Sequence, residues 1–421
     1  MNSLPKWILI EIFKFLDTKN LIKLESVCKF FKSIIRSNKW NLYVFATDFI
    51  IENYKFQKLA VSYINKNIDC IELTVYNMVI NTEVLDKIKC KKLFLYNCFL
   101  SKDCFSNRIF NKLELYGCDI TNNYKYFQAK TINLVLCNFI INTVKNCEKM
   151  EISATEIKSN EMLIIVNNPN LKSLKIRAGI NAMKTPSDNN VKNICNYSFP
   201  SFDIFKNLQK LDLTAQQISD NECQHLMNIP YLNLSGTLIS GSCFKNLEKP
   251  GIMIDVSRTK FEDVYIEYLR YKKIILSYTP IESIENIYNK LEYLDISYTY
   301  VKSINNLKDF NINRLYISGL SINISVVKYL KLVYFDASYA KIDISDLPPI
   351  HTVCLTWFNY EMLKNLRSNV IKLYSANISS IIPYLQFYDT IYLFECYITP
   401  EQNYILKNKC HDLYLQFLDK N

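Results

Sequence analysis

The chain has 421 residues, 49% of them hydrophobic, and carries 50 Lys and Arg against 40 Asp and Glu, a net charge of +10. That is ample for a buried core or a long repeat array. The basic residues are scattered, which fits a solvated surface better than a nucleic-acid groove, and no run of about 18 apolar residues is present to span a membrane.

The first forty residues read as three short helices. Ser3 is a candidate N-cap, and Pro5 suits a first helical turn, where its missing N–H costs nothing. Ile8, Ile12, Phe15 and Leu16 recur at helical spacing. Leu21, Leu24, Val27, Cys28 and Phe31 form a second apolar stripe, and Ile34, Ile35 and Trp40 a third. Helices this short cannot bury all that surface among themselves, so part of it is expected to await a partner.

Leu4-Pro5, Ile12, Leu16, Leu21, Val27-Cys28, Phe31 and Trp40 together resemble an F-box. The resemblance implies docking onto a Skp-type adaptor and, through it, a cullin–RING ubiquitin ligase. The adaptor anchors it implies are Leu4, Pro5, Ile8, Ile12, Leu16, Leu21, Leu24, Val27, Cys28 and Trp40. Lys6 stands where the family usually has an acidic residue, and Phe31 where it often has Trp. Neither removes an apolar anchor. Cys28, inside the Val-Cys pair, is expected to be buried. The F-box is bounded at residues 1–46, and 47–67 read as a helical connector or cap on Phe49, Ile50, Tyr54, Leu59, Val61 and Ile64.

From about residue 68 a repeat of 18 to 22 residues takes over, with apolar residues at its positions one, four, six and eleven and a small or polar one at nine. Cys90, Leu93, Leu95, Cys98 and Leu100 show it, as do Leu291, Leu294, Ile296, Thr299 and Val301. About seventeen copies follow, which resembles a leucine-rich-repeat array over 68–421. The expected fold is therefore α/β, a short all-α F-box followed by a solenoid with a parallel β-sheet on its concave face. Positions four and six should point inward and three, five and seven outward. Position nine is expected to form a ladder between repeats through Cys98, Cys118, Cys137, Thr155, Thr237, Thr259, Thr279, Thr299 and Cys396. So short a repeat leaves room only for extended or single-turn backs, with a little helix at 83–88. The register is irregular at 177–207, where Met183 to Asn190 read as an inserted loop.

No catalytic constellation appears. His225, His351 and His411 lie far apart, no phosphate loop exists, and no Cys or His spacing fits zinc. No cofactor and no metal is expected, and the chain reads as a non-enzyme. The 14 Cys include no Cys-x-x-Cys pair, and Glu11 and Lys14 break the early apolar run. A reduced, intracellular protein, cytoplasmic or nuclear, is the reading. Asp212, Asp255, Asp295 and Asp336 share position five. They could receive a basic ligand, but repeat decoration is the favoured reading. Aromatics gather toward the C-terminus, with Tyr278, Tyr298, Tyr339 and Trp357 at position eight and Tyr374, Tyr392, Phe394 and Tyr414 on the face. They are the candidate contacts for an unknown protein target. The F-box resemblance thus implies a substrate receptor of a Skp–cullin–F-box ligase. The alternatives are an interaction scaffold unconnected with ubiquitin and a basic nucleic-acid-binding solenoid.

Overall fold

The computed structural model describes residues 5–14, 24, 27–37, 40–45, 70–76, 79–80, 90–101, 105, 109–124, 127–141, 144–145, 147–153, 168–177, 208–226, 228–247, 249–345, 347–356, 363–409 and 412–416. The chain divides into two compact units, Met1–Asp212 and Leu213–Asn421. The loop expected at 183–190, the helix at 83–88 and the connector at 47–67 lie outside the described residues, as do Thr155, Trp357 and His411.

The first unit opens with helices α1 (Lys6–Lys14) and α2 (Lys29–Ser37). Pro5 supplies the carbonyl that accepts the first N–H groups of α1, from Ile8 at 3.0 Å and Leu9 at 3.3 Å. Leu9, Phe13 and Ile34 are buried, and Phe13 meets Phe31 edge to face at 5.4 Å, which joins the two helices. Trp40 does not continue the third stripe. It begins strand β1 (Trp40–Phe45), which pairs in parallel with β2 (Cys70–Tyr76). Leu42 and Val44 align with Leu73 and Val75 there, so the alternation of a strand outcompetes helical spacing from residue 40.

Parallel pairing continues through β4 (Cys90–Tyr96), β6 (Ile109–Tyr116), β8 (Phe127–Val135), β11 (Lys149–Ser153), β12 (Ser173–Arg177) and β13 (Lys210–Asp212). Behind it the short strands β3 (Val79–Ile80), β5 (Phe99–Leu100), β7 (Asp119–Tyr124) and β9 (Asn138–Ile141) form a second parallel sheet of extended backs. The brief strand β10 (Val144–Lys145) pairs with β8.

In the second unit every successive pair from β14 to β23 is parallel: β14 (Tyr231–Asn233), β15 (Gly251–Asp255), β16 (Tyr271–Ile275), β17 (Tyr293–Asp295), β18 (Arg314–Tyr316), β19 (Tyr334–Ala337), β20 (Thr352–Thr356), β21 (Val370–Tyr374), β22 (Thr390–Phe394) and β23 (Asp412–Gln416). The described backs are 3-10 turns such as Asn305–Asp309 and Ser325–Tyr329, single α-helical turns at Asp220–Cys223 and Ile378–Ile381, and a ten-residue helix, Pro400–Lys409. Both units are leucine-rich repeats. Positions four and six fill the core: Leu93, Leu95, Ile274, Leu276, Leu294 and Ile296 are fully buried.

One feature of the repeat carries no apolar signature. Position eight has a positive φ in repeat after repeat: Asn97, Gly117 and Leu136 in the first unit, and Ala215, Gly236, Arg258, Tyr278, Tyr298, Gly319, Tyr339, Ser375 and Glu395 in the second. In repeats of the second unit the N–H of position nine bonds back to the carbonyl of position six, as Thr279 does to Leu276 at 3.2 Å. A turn closed in this way with its third residue at positive φ has type II character. The N–H of position eight meanwhile donates to the next rung, as Tyr278 does to Ser297 O at 2.9 Å.

Position nine acts differently with Cys and with Thr, and Cys396 in the second unit also ties rungs together, its sulfur accepting the Ala376 N–H at 3.4 Å. Cys98, Cys118 and Cys137 donate to the position-six carbonyl of the preceding rung, Val75, Leu95 and Leu115, at 3.2 to 3.5 Å. These are the expected ladder. Thr237, Thr259, Thr279 and Thr299 instead donate to the position-six carbonyl of their own repeat, at 2.5 to 2.7 Å. The shorter hydroxyl closes its own turn and does not tie rungs together, which corrects the expectation for threonine. No disulfide joins two of the described cysteines.

Candidate interaction surfaces

Two surfaces stand out. The first is on the N-terminal helices. Ile12, Val27 and Phe30 are 46%, 64% and 46% exposed, although Leu9, Phe13 and Ile34 on the same helices are buried. Of the ten implied anchors, Pro5 is exposed and Ile8 and Leu24 are half-buried. Cys28 is exposed, not buried. It sits where the chain enters α2: its carbonyl accepts the Lys32 N–H at 3.1 Å and its sulfur the Phe31 N–H at 3.4 Å. A residue so placed faces away from the Phe13–Phe31 contact. Trp40 is in β1, and Leu4, Leu16 and Leu21 lie outside the described residues. Phe30 was not among the anchors; its exposure depends on how α1 and α2 pack.

The second surface is the outward face of the second unit, and the repeat register builds it. Asp255, Ile275, Asp295, Tyr316, Asp336, Cys354, Lys372, Tyr392 and Tyr414 succeed one another across the strands at position five. Serines take position seven from Ser257 to Ser338, and the carboxylates serve them. Asp255 Oδ1 accepts the Ser257 N–H at 2.9 Å, Asp295 Oδ1 the Ser297 N–H at 2.9 Å, and Asp336 Oδ1 the Ser338 N–H at 3.0 Å. Asn233 does the same for Ser235. The decoration reading thus has a cause: an Asp-x-Ser pairing that satisfies the N–H at the strand's end. Burial raises the Asp295 pKa, with the neighbouring Asp255 and Asp336 adding to it. In the first unit Asp212 is buried and lies 3.9 Å from the Arg177 guanidinium.

The aromatics assemble on this face. Tyr278 and Tyr298 stack at 4.6 Å, with the Arg258 guanidinium 4.9 Å from the Tyr278 ring. Tyr339 reaches Tyr374 at 6.2 Å, Tyr374 stacks on Phe394 at 4.6 Å, and Tyr392 stacks on Tyr414 at 4.6 Å. Seven of the eight expected contact residues are therefore placed, and five join in one chain of rings. Tyr293, Tyr316 and Tyr334 form a further ladder at 5.0 Å per step. The sequence marks Tyr316 only as a member of the position-five row; Tyr293 and Tyr334, at position three, lack the position-eight spacing that marks the others. The Lys372 ammonium lies 5.5 Å from the Tyr334 ring and 5.3 Å from the Tyr392 ring, a pair of cation–π contacts.

These rings cover strand β20. All five of its residues are buried, including the outward Thr352, Cys354 and Thr356. The Tyr334 hydroxyl is 3.1 Å from the Cys354 sulfur. Burial pushes the Cys354 thiol up to about 12 and the Tyr374 phenol likewise to about 12. Neither is poised to ionise near neutrality. Among the described residues no group of three or more His, Cys, Asp or Glu is placed to hold a metal ion, and no helix is long and apolar enough to cross a membrane.

Residues 1–43 match the F-box-like family. The chain carries an F-box-like segment ahead of leucine-rich repeats. No curated protein matches it. Among solved structures it is similar to an internalin from Listeria monocytogenes (18% identity, 65% of this chain and 87% of that one, TM-score 0.41). It is similar also to a leucine-rich-repeat protein of Leptospira interrogans (15%, 87% and 100%, 0.46) and to the mouse RP105/MD-1 complex (13%, 83% and 66%, 0.39). The F-box-like segment is thus the part bearing exposed Ile12 and Val27, and the repeats bear the aromatic face.

Proposed function

We propose that the chain is the substrate-recognition subunit of a Skp–cullin–F-box ubiquitin ligase. Residues 1–46 dock a Skp-type adaptor, residues 47–67 connect, and the repeats of 68–421 hold a protein target. The carrying observation is the exposure of Ile12, Val27 and Phe30 beside the buried Leu9, Phe13 and Ile34. Exposed apolar side chains grouped on one surface are available to a partner.

The outward face of the second unit supports a protein target. It combines tyrosine and serine, rigid amphipathic area with small adaptable hydrogen-bonding groups, a pairing that serves antibody paratopes. Half-buried carboxylates along its centre oppose a polyanion. The chain itself does no chemistry; the ligase's other subunits supply ubiquitin transfer. It works inside the cell, in cytoplasm or nucleus, where its thiols stay reduced.

Affinity purification followed by mass spectrometry, with the full chain and with a chain lacking residues 1–46, tests this. A Skp-type adaptor and a cullin should accompany the full chain and vanish on truncation, while the target remains. A full chain that brings down no adaptor is an interaction scaffold outside ubiquitination.

A further inference from the structure

We infer that the target is recognised through an extended basic segment that lies across strands β17 to β19, with a cationic side chain at every third residue. The inference rests on the reading of the second unit as target-binding and names the chemistry of what binds there.

The spacing comes from the register. Asp295 and Asp336 sit in the same row two rungs apart, with Tyr316 between them. Rungs of a parallel sheet lie about 4.8 Å apart, so equivalent atoms on alternate rungs are about 9.6 Å apart. A polyproline-type chain rises about 3.1 Å per residue and repeats every three, about 9.3 Å. An extended segment crossing the strands therefore presents every third side chain to successive carboxylates.

The chemistry comes from what each group lacks. Asp295 and Asp336 each use Oδ1 for the serine N–H of their own turn, and Asp336 Oδ1 also accepts the Ser318 hydroxyl at 2.9 Å, which leaves Oδ2 of each for a ligand. Among the described residues neither has a Lys, Arg or His within ion-pair distance. Among the described residues Ser338 Oγ, 5% exposed and two residues beyond Asp336, has no hydrogen-bond partner. Buried polar groups left unpaired call for a partner. A guanidinium on Asp336 has five N–H donors, enough for the carboxylate and the hydroxyl beside it. Rings flanking the row accept cations, as the chain's own Lys372 over Tyr334 and Arg258 over Tyr278 show.

The test uses the full chain and three labelled twelve-residue peptides: four Pro-Pro-Arg triplets, the same residues with the four Arg in one block, and four Pro-Pro-Glu triplets. Fluorescence anisotropy should show the spaced Arg peptide binding at least tenfold tighter than the block peptide, and the Glu peptide not binding. Asp295→Asn with Asp336→Asn should weaken the spaced peptide at least tenfold with the fold intact, because Asn233 already makes the same bond to its serine at 2.9 Å. Equal affinity for the two Arg peptides, or no loss in the double variant, overturns the inference. So does tighter binding of a twelve-nucleotide RNA than of the spaced peptide. If no Arg peptide binds while Tyr374→Ala with Tyr392→Ala still abolishes target capture, the target has another chemistry, and the receptor reading stands without this inference.

Discussion

The Tyr339 hydroxyl donates to Glu395 Oε2 at 3.3 Å, a bond between residues 56 apart in sequence and on strands three rungs apart. Both residues hold position eight with positive φ, so each leaves its strand at the same angle. The Ser375 hydroxyl donates to the same oxygen at 3.2 Å. The tyrosine thus leans across the β20 rung, and its ring comes within reach of Tyr374.

Tyr339→Phe keeps the ring and removes the hydroxyl. The bond is exposed and its acceptor retains Ser375, so the expected loss is about 0.5 to 1 kcal/mol of stability. Urea unfolding would show it. A loss as large as that expected for Tyr339→Ala would mean that the hydroxyl, not the ring, holds this part of the face.

Asp295→Asn should stabilise the chain at neutral pH. Burial, with Asp255 and Asp336 nearby, raises the Asp295 pKa in the folded state above its ordinary value. Between the unfolded and folded values the folded state binds more protons, so stability falls as pH rises through that window. Asn cannot charge and keeps the acceptor for Ser297. The gap between variant and wild type should therefore open as pH rises from the ordinary carboxylate range and hold at pH 7. Denaturant midpoints across that range would reveal it; a variant less stable at pH 7 would mean that the charged bond to Ser297 outweighs burial.

The apolar frame was legible because inward positions alternate strictly: Leu93 with Leu95, and Ile274 with Leu276, could only be strand residues facing a core. The turn at position eight was not. Gly236 and Asn97 advertise positive φ, but Tyr278, Arg258 and Leu136 do not, and the register imposes it on them. The role of threonine at position nine was misread because sequence does not say which of two nearby carbonyls a hydroxyl reaches. The burial of Thr352, Cys354 and Thr356 was equally hidden, since it is made by rings on other rungs. Exposure of Cys28 depended on how α1 meets α2, a tertiary matter.

Two glycines should respond differently to alanine. A Cβ on Gly236 would meet only Ala215, at 3.6 Å, so Gly236→Ala carries the cost of φ +70 alone, about 1 to 2 kcal/mol. A Cβ on Gly251 would run into the ring of Tyr271, which is fully buried and has nowhere to go. Overpacking of this kind costs about 1 to 3 kcal/mol or more. Thermal unfolding should rank Gly251→Ala as the more harmful, and the reverse order would show that the Tyr271 site can relax.

Thiol labelling of the native chain should separate Cys28 from the rest of the described cysteines. Cys28 is exposed and Cys90 intermediate; the others are buried. Burial also pushes the Cys147 thiol up to about 12, which suppresses its thiolate. Maleimide followed by peptide mapping should modify Cys28 first, with Cys98, Cys118 and Cys137 reacting only after denaturation. Rapid native labelling of the last three would contradict their place in the position-nine ladder.

The two proposed surfaces can be uncoupled by paired substitutions. Ile12→Asp with Val27→Asp puts charge where exposed apolar side chains await a partner, while Leu9, Phe13 and Ile34 keep the helical core. Tyr374→Ala with Tyr392→Ala removes two rings whose stacking partners, Phe394 and Tyr414, remain. Losing those stacks should cost about 1 kcal/mol of stability each, whereas truncating anchors at the heart of an interface costs about 2 kcal/mol or more of binding. The first pair should therefore abolish capture of the Skp-type adaptor and leave target capture unchanged. The second pair should lower target capture by roughly thirtyfold or more and leave the adaptor bound. Quantitative mass spectrometry of both purifications reads the two partners at once. Adaptor binding that survives Ile12→Asp with Val27→Asp would remove the F-box-like segment from its proposed role, and target capture that survives loss of both tyrosines would place the contact away from the aromatic face.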